Sequence, residues 1–204
     1  MAIVGVILGG GSGLRLGGVR KGDLRLANRP LLALVHARLA PQCDCVVLSQ
    51  NAAHRCAPPA AFDAVLPDLP DGPSGPAAGL WTAALWAIRT HGTSASLLSA
   101  PVDTPFLPGD FAERCLAAAN PCVTAAFAGR LHPACGLWPA LDLVAALAPW
   151  RGLARGPALH AIAASLGAVK LDYETPAKPD PFAGVNTLPD LLAFQRRTSG
   201  IARR

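Results

Sequence analysis

The strongest constraint on the fold is shared by three short stretches: residues 3–8 (IVGVIL), 45–49 (CVVLS) and 94–100 (SASLLSA) are apolar or small at almost every position. A strand with one wet face alternates apolar and polar side chains, so continuous runs of this length belong to strands covered on both sides. Helix-like segments follow over residues 30–40, 76–89 and 108–119, the last with proline in its first turn. This alternation builds a mostly parallel sheet between two helical layers. Beyond Asn120 the pattern changes: CVTAAFA and RLHPACGLW, joined through Gly129, read as a mixed, antiparallel edge of the sheet. Helices over 139–148 and 157–166, a strand AVKLDY, a loop DPFAGVNT and a helix over 189–197 complete the chain.

With 204 residues, 51% of them hydrophobic and 15% charged, the chain can bury a sizeable core and has no disordered composition. We expect one domain over residues 1–197, then a frayed basic tail, 198–204. No apolar run approaches the roughly 20 residues of a membrane span. MAIVGVIL has no basic leader, so a cytoplasmic protein without membrane contact is expected. Six cysteines include no C-x-x-C pair and mostly sit in apolar sequence, as buried free thiols do. The formal charge of +5 favours polyanionic partners; the basic residues are too scattered to indicate nucleic acid.

Directly after the first run comes GGGSGLRLGGVRKG, a loop that gives up side chains yet keeps Arg15, Arg20 and Lys21. Glycines there let backbone N–H groups close on a bound anion, and such a nest suits phosphate. A Walker A loop needs a hydroxyl residue after its lysine, but Lys21 is followed by Gly22. The G-x-G-x-x-G fingerprint also fails, because starts at Gly9 and Gly11 meet Leu14 and Leu16 where the third glycine belongs. Arg15 and Lys21 are spaced to reach different oxygens of one triphosphate.

Asp103, in PVDTP, follows an apolar strand, at the edge where open α/β sheets bind ligands. A carboxylate there suits Mg²⁺, although closing the turn with Thr104 and Pro105 would also account for it. Asn186, in GVNT, is the other candidate for the same ion. The tryptophans Trp81, Trp86, Trp138 and Trp150 fall on apolar faces and are assigned to the core.

LGGGSGLRLGGVRKG, RPLLALVHARL, VVLSQN, GPAAG, PVDTP, HPACGLW and DPFAGVNTLPDL follow one another over nearly the whole chain. In that order they resemble the molybdenum cofactor guanylyltransferases of the MobA family. The resemblance implies a Rossmann-like three-layer α/β/α fold and an enzyme that joins GMP from GTP to the terminal phosphate of molybdopterin, releasing pyrophosphate. Leu8, Gly9, Gly10, Gly11 and Ser12 would form the guanine and phosphate cradle, with Arg15 and Lys21 on the triphosphate. Asn51 and Asp68 would contact the nucleotide, Gly79 with Gly75 and Pro76 would flank the base, and Asp103 and Asn186 would hold the metal. His132, in HPACG, would lie on the pterin side. Transient contacts with cofactor-supplying and molybdoenzyme-maturation proteins are further implied.

This chain departs from the family pattern at three positions. Arg20 replaces a usual aspartate, Gly184 a common asparagine, and Val102 is more typical of cytidylyltransferases. A cytidylyltransferase for the same pterin or another phosphorylated acceptor, and a non-catalytic subunit that delivers the pterin, are the competing expectations. Attack of an ionised phosphate needs no general base, so catalysis falls to Arg15, Lys21 and Asp103 as charge-neutralising and positioning groups.

Overall fold

The computed structural model describes residues 1–10, 18–51, 62–174 and 179–201, with side chains up to residue 198 in the last stretch. In chain order the elements are β1 (Ile3–Leu8), β2 (Arg25–Leu26), β3 (Arg29–Pro30), α1 (Leu31–Leu39), β4 (Cys45–Gln50) and β5 (Ala64–Pro67). There follow α2 (Pro76–His91), β6 (Ser96–Pro101), α3 (Phe111–Leu116), β7 (Val123–Phe127) and β8 (Arg130–Pro139). The chain ends with α4 (Ala140–Leu147), α5 (Leu159–Ser165), β9 (Val169–Asp172) and α6 (Leu188–Ile201).

Seven strands form one sheet in the order β5-β4-β1-β6-β8-β7-β9. β5, β4, β1 and β6 pair in parallel, β8 runs antiparallel to both β6 and β7, and β9 pairs in parallel with β7. The one reversed strand therefore lies inside the sheet, and the edge expected to be antiparallel is the parallel strand β9. A buried chain of bonds holds β8 there: Trp138 Nε1 donates to Ser99 Oγ at 2.8 Å, and Ser99 Oγ donates to the Ala134 carbonyl at 2.9 Å.

Both faces of the parallel strands are buried, as their unbroken apolar sequence requires. Val4, Val6, Val47 and Leu97 pack under α2, α4 and α5, while Ile7, Val46, Leu48 and Leu98 pack under α1 and α3. Side chains of a strand point alternately to its two faces, so successive residues enter opposite cores. Trp138 and Trp81 are core residues and Trp86 packs on the core, but Trp150 is 36% exposed, contrary to expectation. It ends a 3-10 turn after α4, where the helical phase that would have turned it inward no longer applies. Cys115, Cys122 and Cys135 are buried free thiols and Cys43 and Cys45 are half-buried ones; Cys56 lies outside the described residues.

Helix α3 is shorter than the expected 108–119: the Pro108 carbonyl accepts from Gln42 Nε2 at 2.9 Å, and the helix begins only after Asp110. Helix α6 instead continues to Ile201, into the segment expected to fray. Between the glycine loop and α1 a small β2–β3 hairpin turns through Ala27 and Asn28, both at positive φ, the geometry of a tight two-residue turn. Among the described residues no helix is long and apolar enough to cross a membrane.

Candidate active site

After β1 the chain moves outward to β4 and β5, then returns to β6 on the other side of β1. Open α/β sheets leave a crevice at such a reversal, beyond the carboxyl ends of the strands. The glycine loop leaves β1 at this point and Asp103 leaves β6, so topology brings together residues far apart in sequence. Gly9 N donates to the Ser49 carbonyl at 2.7 Å and Val102 N to the Leu8 carbonyl at 3.1 Å, which fixes the crevice floor.

Asp103 sits in a turn closed by other groups: Thr104 donates to the Pro101 carbonyl through its amide at 3.2 Å and its hydroxyl at 2.7 Å. Its carboxylate, not needed by the turn, faces Lys21. Lys21 Nζ lies 2.5 Å from Asp103 Oδ2 and 2.7 Å from Asn186 Oδ1. The Lys21 and Asp103 side chains are 15% and 13% exposed, so the pair is well shielded.

Asn186 is held by the start of α6. Asp190 Oδ2 accepts from the amides of Asn186 and Thr187 at 3.0 and 2.8 Å, and the Asp190 amide donates to Thr187 Oγ1 at 3.3 Å, a capping box. Asn186 Nδ2 donates to the Gly184 carbonyl at 3.2 Å, which aims Oδ1 at the lysine. Val185 N also donates to the Asp103 carbonyl at 3.1 Å, tying the two loops together. Gly184 has a steric role here: a Cβ at this position would lie 3.0–3.1 Å from Asp103 Oδ1, Cγ and Oδ2.

Two cavities meet at Asp103. One, about 270 Å³, is lined by Leu8, Gly10, Lys21, Asn51, Asp68, Gly75, Pro76 and Gly79 together with Ser49 and Val102. The other, about 550 Å³, is lined by Arg130, His132, Phe182, Gly184 and Asn186 among others. Asp103, Pro76, Pro101 and Ala134 line both. Gly9 stands just behind the first cavity, where a Cβ would press on Leu48 and the Ser49 carbonyl at 3.1 Å. Gly11, Ser12 and Arg15 lie outside the described residues. Burial holds the Asp68 carboxyl above its ordinary value, opposed by a hydrogen bond from Asn51. Val102 is 2% exposed and belongs to the core under α1 and α3.

In the larger cavity His132 Nε2 stands 3.0 Å from Asp180 Oδ2, with its ring 5.6 Å from that of Phe182. Burial pushes the His132 pKa down, outweighing the neighbouring Asp180. Sequence reasoning missed Asp180, Asp190 and Ser49. Asp190 had a signal, the T-x-x-D spacing ahead of an apolar helical run; nothing local marks the other two.

The fold and this two-cavity site, with lysine, carboxylate and amide oxygens converging where the cavities join, define a nucleotidyltransferase. Residues 5–170 match the model of the MobA-like NTP transferase domain. The chain is 44% identical over 190 residues to a molybdenum cofactor guanylyltransferase of Cereibacter sphaeroides, covering 91% of each protein. It is 41% identical over 206 residues to one from Rhodobacter capsulatus, covering 97% of each. Its fold matches the crystal structure of molybdopterin-guanine dinucleotide biosynthesis protein A from Archaeoglobus fulgidus with a TM-score of 0.71, at 20% identity, over 97% of this chain and 99% of that one. The chain belongs to the MobA-like NTP transferase family.

Proposed function

We infer that this protein transfers GMP from GTP to the terminal phosphate of molybdopterin, giving the guanine dinucleotide form of the molybdenum cofactor and pyrophosphate. The observation that carries the reading is Asp103 on the wall common to two cavities, one backed by the glycine loop and one open to a second substrate. The smaller cavity takes the nucleotide, with the base between Leu8, Gly10 and the Gly75–Gly79 turn, and Asn51 and Asp68 toward the sugar and base. The larger takes the acceptor, whose phosphate enters beside Asp103.

Asp103 Oδ2 and Asn186 Oδ1 fit a hard divalent cation: both are oxygen donors, and both already converge on a single positive charge, the Lys21 ammonium. These two residues would hold Mg²⁺, which would supply neutralisation of phosphate charge. Lys21, with Arg15, offsets the charge of the departing pyrophosphate. An acceptor phosphate oxygen forms the new bond to the α-phosphorus, and the bond from that phosphorus to the β-bridging oxygen breaks. The acceptor oxygen is already ionised near neutral pH, so no side chain removes a proton; the protein's work is alignment and charge balance. The same reading places the enzyme in the cytoplasm, where transient contacts with other proteins of cofactor assembly supply acceptor and collect product.

The test is pyrophosphate release with molybdopterin, Mg²⁺ and either GTP or CTP. Turnover with GTP is expected. Turnover with CTP alone would reassign the base in favour of the Val102 signal, and turnover with neither would leave a non-catalytic carrier.

A further inference from the structure

One wall of the smaller cavity is the start of α2, where Gly75, Pro76 and Gly79 face the cavity; the turn Gly72–Gly75 leads into it and ends on that wall. Gly75 takes φ +70°, and its carbonyl accepts from the Ala78 amide at 3.0 Å, so the wall is a sharply bent backbone segment. Residues 151–156, which follow the turn after α4, contact this turn from a distant part of the chain.

That stretch grips the wall along its length. The Arg151 guanidinium pairs with the Asp71 carboxylate and lies 5.8 Å from the ring of Trp81, on α2. Gly152 N donates to the Gly72 carbonyl at 3.2 Å, and Ser74 Oγ donates to the Ala154 carbonyl at 3.1 Å. Gly156 then lies directly against the Ser74 backbone. A Cβ there would stand 2.0 Å from the Ser74 carbonyl oxygen and 2.9 Å from its carbon, separations no side chain can adopt. The obstacle is main chain, so it cannot be relieved by a rotamer change.

We propose that residues 151–156 are a strap that positions the Gly72–Gly75 wall against the bound nucleotide, with Gly156 as the position that sets the wall's depth. None of residues 151–156 lines either cavity or contacts the Lys21–Asp103 pair, so the strap's effect falls on nucleotide binding and not on the chemical step. The proposal rests on the smaller cavity being the nucleotide seat.

Gly156→Ala tests it. The new methyl must push the Ser74 peptide away from the strap by about 1.4 Å to reach ordinary contact, and misplacements of even about 1 Å cost up to about a hundredfold. We expect KM for GTP to rise about ten- to a hundredfold with kcat within about twofold of wild type, and titration with a fluorescent GTP analogue to weaken in parallel. Arg151→Ala combined with Ser74→Ala loosens the strap without a clash, and should raise KM for GTP by about three- to tenfold, again at constant kcat. It decides the matter if the Gly156 variant does not fold. An unchanged KM, or a fall in kcat at constant KM, overturns the strap. If wild-type protein fails to bind GTP in the same titration, the nucleotide-seat reading is what has failed.

Discussion

The contact between Lys21 and the two oxygens of Asp103 and Asn186 leads to a prediction with opposite signs in two assays. The ammonium occupies the position on which both oxygens converge, at 2.5 and 2.7 Å. A divalent cation can use both oxygens only after the lysine has left. The pair is mostly shielded, at 15% and 13% exposure, and a hydrogen bond to a charged partner in such a setting is worth about 1.5–3 kcal/mol. At about 1.4 kcal/mol per factor of ten, removing this competitor should tighten metal binding to the nucleotide-free protein by roughly 10- to 150-fold. Lys21→Met keeps most of the side chain's length, one atom short, and removes the charge. The assay is Mn²⁺ titration followed by electron paramagnetic resonance of the free ion, first without nucleotide and then with GTP. Without nucleotide the variant should bind Mn²⁺ more tightly than wild type. With GTP the advantage should shrink or reverse, because in wild type the ammonium has moved to the phosphates. Turnover should fall by about two to three orders of magnitude, the usual cost of a preorganised charge-stabilising group. Equal or weaker Mn²⁺ binding by the variant without nucleotide would refute the reasoning. So would an advantage of the same size with GTP present, since that would reflect long-range charge and not occupancy of the seat.

Other consequences follow from single positions. Gly184→Asn places a Cβ 3.0–3.1 Å from the Asp103 carboxylate and should lower kcat about three- to thirtyfold by displacing it a few tenths of an ångström, even though it installs the side chain common in relatives. Steady-state kinetics checks this. Gly79→Ala brings a methyl to 2.5 Å from Ser49 Oγ and 3.0 Å from Leu8 Cδ2, between α2 and the sheet, and should cost about 1–3 kcal/mol in a denaturant titration. His132 is held below its ordinary pKa of 6.5 by burial, so the unfolded chain binds its proton first. Its contribution to stability is present above that value and is lost as pH falls from there toward the folded pKa; His132→Gln should flatten this acid limb in denaturant titrations across pH.

Legibility in the sequence followed the range of the forces involved. β1, β4 and β6 could be placed because double-sided burial writes itself into each residue of a strand. Asp103 was legible for a related reason: a carboxylate just after such a strand must lie at the ligand edge of the sheet. The insertion of β8 between β6 and β7 was not legible, because it depends on the Ser99, Ala134 and Trp138 bonds between strands distant in sequence. Gly156 in RGLARG resembles an ordinary turn glycine, and only its contact with the Ser74 backbone gives it a reason. Lys21 was assigned to phosphate from its loop; its pairing with Asp103 and Asn186 was not legible, because both come from loops distant in sequence.

The Lys21 pairing also has an electrostatic reason within the chain. A half-buried carboxylate facing an amide oxygen is costly unless a cation lies between them. Lys21 meets this need from within the chain, and it does so from a loop anchored by the 3-10 turn Lys21–Asp23 beside the crevice. On the proposed function, a triphosphate would offer Lys21 one charge-assisted bond in exchange for another of similar strength, so the lysine could change partners at small net cost. On that reading the Asp103 carboxylate would be left without its cation, which favours a divalent ion once the nucleotide is in place. His132, which lines the larger cavity, is paired with Asp180 and has its pKa pushed down by burial, away from this exchange. On the proposed function, Lys21 and a divalent ion compete for the same two oxygens, so a nucleotide that draws the lysine away would favour the metal.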